Sequence, residues 1–142
     1  MGAKVEWVGN YTFLVSGDSR HYTILDHADS VESQKGSSPT ELLLGAMCGC
    51  SAMDVVSILK KKRENIVGLE VRADAKRAPE FPKVFTEVTM EYIVQGDVRK
   101  KSLESAISLS HKKYCHISIM LERSGVKFSI SSKIIKVPSS TS

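Results

Sequence analysis

The stretch from Leu42 to Leu59 constrains this chain more than any other, because as a helix it is apolar on nearly every side. Its start is well marked. Ser38 suits an N-cap, Pro39 the first helical position, and Glu41 stands three residues after Ser38 to close a capping box. Leu42, Leu43, Ala46, Met47, Cys50 and Met53 keep three-and-four spacing, while Leu44, Cys48, Val55, Ile58 and Leu59 fill other faces. A helix of this kind is expected to be sandwiched in an interior rather than laid on a surface. It ends in Lys60-Lys61-Lys62-Arg63, where cations complement the helix dipole and face water. The apolar run is broken by glycines and meets Asp54, so no membrane crossing is expected.

Period-two alternation predicts strands on both sides of this helix. Val5 and Trp7 precede a Gly9-Asn10 turn, Tyr11, Phe13 and Val15 follow it, and Tyr22 and Ile24 begin a third strand. The polar segment from Asp26 to Ser38 lacks periodicity and is expected to be a mobile loop. Leu69, Val71 and Ala73, then Val84 through Val94, predict two long strands joined across the Pro-bearing stretch Lys76 to Lys83. Lys100 to Tyr114 is an amphipathic helix through Leu103, Ala106, Ile107 and Leu109, and a short helix follows Cys115 up to Gly125. Val126, Phe128 and Ile130 open a last strand, and residues 138–142 are expected to be a flexible tail. The implied architecture is α+β: antiparallel strands from both ends of the chain around a long central helix, in a single domain over residues 1–137. One small sheet cannot cover so many apolar faces, so a homodimer is expected.

Composition narrows the function. A chain of 142 residues with 42% hydrophobic residues and a net charge of +4 is one ordinary domain with a core. Its basic residues are not interleaved with stacking aromatics, which number one Trp, four Tyr and four Phe, so no nucleic-acid partner is expected. The stretch Met1 to Glu6 has no apolar export segment, and a cytoplasmic location is expected. Three cysteines are an odd number for a reducing compartment, which leaves burial, redox chemistry or metal binding.

Cys48 and Cys50 lie about 200° apart around a helix and cannot easily bridge. Cys115 sits in Lys112-Lys113-Tyr114-Cys115-His116, at a helix junction with His111 and His116 nearby. Free N–H groups at a helix start, with cations close by, favour a reactive thiol there. Zinc held by Cys48, Cys50, Cys115 and His116 is a rival, although the spacing matches no C-x2-C knuckle. Any of the three cysteines could equally be a small buried hydrophobe.

The run Gly36-Ser37-Ser38-Pro39-Thr40-Glu41-Leu42, the helix through Met47-Cys48-Gly49-Cys50-Ser51-Ala52-Met53, and Lys113-Tyr114-Cys115-His116-Ile117-Ser118 together resemble the OsmC/Ohr family of osmotically inducible and organic hydroperoxide resistance proteins. That family's pattern places a cysteine eleven residues after the proline, here Cys50 after Pro39, and a second in a Tyr-Cys junction, here Cys115. The continuation Ser51 to Leu59 is closest to the YhfA-like branch. The resemblance, which covers roughly Ala3 to Val137, implies an OsmC-like α+β fold, an intertwined homodimer and no cofactor. It also implies an antioxidant, thiol-dependent peroxidase: Cys50 attacks an organic, fatty-acid-type hydroperoxide and becomes a sulfenic acid, and Cys115 resolves it as a disulfide. A dithiol, in related enzymes a lipoylated protein, would then reduce the disulfide. Family peroxidases activate the thiol with an arginine from the N-terminal strands, held by a glutamate directly after the proline. Arg20 is the arginine available for that role, whereas Thr40 stands at the glutamate position and His116 replaces a proline after the second cysteine. Two other readings remain on the same fold: a binding protein that holds an acyl or thiol-bearing molecule without turnover, and a zinc-dependent or purely structural dimer.

Overall fold

The structure, a computed structural model, describes residues 1–137, so the tail expected at 138–142 lies outside the described residues. The chain gathers into two compact units, Met1–Leu44 and the part from Gly45 onward. In the first, β1 (Ala3–Trp7), β2 (Phe13–Gly17) and β3 (Tyr22–Leu25) form the antiparallel meander that the alternation predicts. Gly9 and Asn10 both take positive φ, 116° and 47°, in the turn between β1 and β2.

The segment after β3 differs from the expected mobile loop, because it is tied down by one carboxylate. Asp26 accepts from the Lys35 N–H at 2.8 Å and from Thr12 Oγ1 at 3.1 Å. Its own N–H donates to the Ser37 carbonyl, and Gln34 Nε2 donates to the Gly36 carbonyl. Polar residues without periodicity read as free loop, yet here they serve as hydrogen-bond partners for one another. A Cβ at Gly36 would stand 2.5 Å from the Ile24 carbonyl oxygen, which explains why that position has no side chain.

Helix α1 (Pro39–Lys61) begins where Ser38 Oγ accepts from the Glu41 N–H at 3.3 Å, and it runs for 23 residues. Its burial corrects the sandwiched expectation. Within one chain only Met47, Ser51, Val55 and Leu59 are buried, a single stripe at four-residue spacing. Leu43 and Met53 remain exposed, because one chain supplies cover for one side of α1 only. By length and composition, with mean hydropathy 1.9, α1 could also cross a membrane. Its Ser51 and Asp54, however, are engaged by polar side chains of neighbouring elements, as in a helix packed within a protein.

In the second unit, β4 (Asn65–Arg77) and β5 (Phe85–Asp97) form a long antiparallel hairpin, and β6 (Lys127–Ile135) completes the order β4-β5-β6. The β5–β6 pairing is parallel, not antiparallel as expected. The connection explains it: α2 (Lys100–Leu109), a π-helical turn (Ser110–Tyr114) and α3 (His116–Arg123) form a crossover long enough to return the chain in the same direction. Val88, Met90, Tyr92 and Val94 line the buried face of β5, and the core continues through Met47, Val55 and Leu59 of α1 and Leu103, Ala106 and Ile107 of α2.

Glu64, just after α1, anchors the start of α2. Its carboxylate accepts from Ser102 Oγ at 2.6 Å, Arg99 Nε at 2.6 Å and the Arg99 N–H at 3.2 Å. These bonds, from Ser102 first and then Arg99, hold the Glu64 carboxyl below its usual range. A pKa lowered by folding adds stability above the unfolded carboxylate range, and that stability is lost as pH falls through the folded value. Thermal unfolding of Glu64→Gln should therefore show a deficit against wild type that is full at neutral pH and closes on acidification. For Gly36→Ala, denaturant unfolding should show a loss of about 1–3 kcal/mol as the Ile24 backbone is pushed aside.

Candidate active site

Two of the cysteines meet. Cys50 Sγ, on α1, lies with Cys115 Sγ and a carboxylate oxygen of Asp54 in a group whose members are all within 4.8 Å of one another. Asp54 follows Cys50 by one helical turn, so both project from the same edge of α1 beside the buried stripe. Cys115 is the N-cap of α3, at the helix junction that the sequence predicts, and its side chain is fully buried. Its thiol donates toward the Met47 carbonyl at 3.9 Å, and its sulfur accepts from the Ser118 N–H at 3.5 Å. The neighbouring Ile117 N–H points to the Cys50 sulfur. The first turn of α3 thus offers successive N–H groups to two sulfurs.

The π-helical turn sets this arrangement up. The Cys115 N–H reaches back five residues to the Ser110 carbonyl at 2.7 Å, and this wide turn ends α2 at the residue that must face α1. Burial pushes the Cys50 thiol above its ordinary value, and its hydrogen bond to Cys115 and the nearby Asp54 charge add to that, while the Ile117 N–H opposes it. Burial also raises the Cys48 thiol.

Behind the pair runs a buried polar chain. Ser110 Oγ donates to Asp54 Oδ2 at 2.9 Å, Ser110 and Ser51 hydroxyls are 2.8 Å apart, Ser51 and Tyr92 hydroxyls 2.5 Å, and Tyr92 Oη lies 2.7 Å from His111 Nε2. Burial pushes the Tyr92 hydroxyl up to about 12 and the His111 imidazole down. Among the described residues, no buried side-chain nitrogen or oxygen lacks a partner.

Of the residues singled out from sequence, Cys50 and Cys115 come together, whereas Arg20 belongs to the first unit. It sits in the turn between β2 and β3, at φ 63°, with its N–H donating to the Gly17 carbonyl at 3.0 Å. The four-residue zinc set does not form among the described residues: Cys48 and His116 stay outside the cluster, and His116 is exposed. Three donors are one short of a closed structural zinc site, and one of them, Asp54, already bonds Ser110. His111, expected beside Cys115, bonds Tyr92 instead. Sequence reasoning passed over Asp54, Ser51, Tyr92 and Ser110. The available signal was Ser51 and Asp54, two polar residues three apart in an otherwise apolar helix.

Two clefts border these groups. One of about 360 Å³ reaches Asp54 and is lined by Ile58, Leu109 and Tyr114 together with Lys61 and Lys62. The other, about 520 Å³, reaches His111 between α2 and β6.

Comparison with known proteins places this geometry. The family described as OsmC-like protein matches residues 32–131. Protein YhfA of Escherichia coli (strain K12) is 40% identical over 124 residues, covering 87% of this chain and 90% of its own. A hypothetical protein from Aquifex aeolicus VF5 superposes with TM-score 0.85 at 31% identity, covering 96% of both chains. The organic hydroperoxide resistance protein OhrB of Bacillus subtilis shares the fold, with TM-score 0.65 at 17% identity over 94% of this chain and 98% of its own. On the paired thiols, the α+β fold and these matches, the chain belongs to the OsmC-like protein family.

Proposed function

We propose that this protein is a cysteine-based peroxidase that reduces organic hydroperoxides to alcohols. The observation that carries the reading is the approach of the Cys50 and Cys115 sulfurs to within 4.8 Å at the start of α3. Cys50 attacks the terminal peroxide oxygen: an S–O bond forms, the O–O bond breaks, and the thiol proton ends on the departing alcohol. Cys115 then displaces the sulfenic hydroxyl as water and closes a disulfide. A dithiol, of the kind carried on a lipoylated protein, restores both thiols at the cost of its own oxidation. The cleft at Asp54 supports a fatty-acid-type substrate, since Ile58, Leu109 and Tyr114 suit an alkyl chain and Lys61 and Lys62 suit its carboxylate.

In this reading the protein works in the cytoplasm as a homodimer, whose second copy covers the apolar side of α1 around Met53, 76% exposed in one chain. Arg20 is the proposed activating cation. A non-catalytic binding role on the same fold has one observation in its favour: burial, Cys115 and Asp54 all hold Cys50 as the thiol.

Thiol titration and intact mass before and after one equivalent of cumene hydroperoxide separate the two. A peroxidase loses two thiols and about 2 Da per chain, Cys50→Ser abolishes the loss, and Cys115→Ser traps an oxygen adduct. Cys48→Ser should leave both changes intact. Thiols that survive excess peroxide, with ligand stabilisation retained in Cys50→Ser, would establish the binding role instead.

A further inference from the structure

The cluster of Cys50, Asp54 and Cys115 is also a set of metal ligands, with its three donor atoms all within 4.8 Å of one another. On one tetrahedral zinc ion, with Zn–S of about 2.3 Å and Zn–O of about 2.0–2.2 Å, two sulfurs would stand about 3.8 Å apart and sulfur and oxygen about 3.6 Å. The cluster is therefore already of the size such an ion would impose, to within about 1 Å.

The number and kind of donors fit an open site. A closed structural site takes four protein ligands, but an open zinc site takes three and keeps one position for water or an exchangeable ligand. An approach exists, because the cleft of about 360 Å³ reaches Asp54. Two soft thiolates favour zinc over magnesium and calcium, which prefer oxygen throughout.

The surroundings suit bound thiolates. The Ile117 N–H points to the Cys50 sulfur and the Ser118 N–H donates to the Cys115 sulfur at 3.5 Å, so each sulfur has a backbone donor that favours its anionic form. Ser110 Oγ donates to Asp54 Oδ2 at 2.9 Å, which orients the carboxylate and leaves its other lone pairs free for an ion. Ser110 is in turn held by Ser51 at 2.8 Å. Two thiolates and a carboxylate repel one another when nothing lies between them, and a dication placed there turns the repulsion into attraction.

We propose that the reduced protein binds one Zn²⁺ per chain through Cys50 Sγ, Cys115 Sγ and a carboxylate oxygen of Asp54, with the fourth position open to the cleft. On binding, each thiol gives its proton to solvent and two S–Zn bonds form. No electrons move, so the ion binds only while both sulfurs are reduced, and a Cys50–Cys115 disulfide excludes it. The site itself does not depend on the peroxidase reading; its consequence for activity does. Zinc occupies the attacking and the resolving sulfur together, so the metal-free protein is the form that reacts with hydroperoxide.

The test is titration of the reduced Cys48→Ser protein, under exclusion of oxygen, with Zn²⁺ against a chromogenic chelator and with Co²⁺ by absorption spectroscopy. One ion should bind per chain, with release of about two protons in calorimetry run across buffers. Cobalt should show sulfur-to-metal charge transfer and the intense visible bands of a four-coordinate ion. Cys50→Ser and Cys115→Ser should each weaken zinc binding by at least about a hundredfold, and Asp54→Asn by about tenfold. Diamide, which makes disulfides without peroxide, should abolish binding in the same protein, an arm that stands even if a further variant fails to fold. No binding tighter than about 10 μM, binding that both cysteine variants retain, or the weak spectrum of a six-coordinate ion would each overturn the site. Reaction of the metal-free protein with cumene hydroperoxide answers the other question separately. Thiols that bind zinc yet survive hydroperoxide leave the metal site standing and remove the peroxidase reading, and thiols that are oxidised yet bind no zinc do the reverse. Where both occur, one equivalent of Zn²⁺ should slow thiol loss by at least about tenfold and EDTA should restore it, whereas a rate that zinc leaves unchanged would overturn the shared site.

Discussion

The contact between the Ser51 and Tyr92 hydroxyls, 2.5 Å apart in the core, fixes the rest of the second unit. Helix α1 is apolar on so many sides that hydrophobic burial alone barely selects which side turns inward. A hydroxyl in its middle does select, because a buried polar group without a partner costs about 1–3 kcal/mol. Turning Ser51 toward Tyr92 and Ser110 places Met47, Val55 and Leu59 in the core. It also leaves Cys50 and Asp54 at the edge that meets Cys115, and sends Cys48 out of that cluster. The site's geometry is thus a by-product of satisfying one serine.

The crossover supplies the other half. Had α2 run on as a regular helix, no break would free the first N–H groups of a following helix. The π-helical turn and the cap at Cys115 create that break, and the Ile117 and Ser118 N–H groups then meet the two sulfurs. The same turn buries Ser110, whose hydroxyl joins Asp54 to Ser51. One local irregularity therefore serves the thiols and the polar chain together.

Much of this was legible in the sequence. The strand meander, the Ser38 cap, the long hairpin and the helix break at Cys115 are local signals, carried by alternation, capping chemistry and periodicity, and they stand as expected. The pairing of Cys50 with Cys115 followed from resemblance rather than from spacing, since 64 intervening residues carry no distance information. What stayed hidden was long-range and polar. Nothing local says that Tyr92, one of four alternating core residues of β5, would turn its hydroxyl to α1, or that Asp26 would gather the segment behind it. The parallel return of β6 was hidden for the same reason, because strand direction is a property of the connection and not of the strand.

A half-buried thiol such as Cys50 can be made to react in two ways: a cation beside it can hold a thiolate, or a base can take the proton as the new bond forms. The groups acting on Cys50 within the second unit are a thiol, a carboxylate and one backbone N–H. The carboxylate repels a standing thiolate but is a good acceptor for a proton in transit. The proton does not stay there, because the departing alkoxide is far more basic than a carboxylate and takes it as the O–O bond breaks. The Ser110 hydroxyl donates to Asp54 Oδ2 and, through Ser51 and Tyr92, ties that carboxylate to the polar core. The chemistry at the α1 edge and the polar core beneath it are in this sense one device.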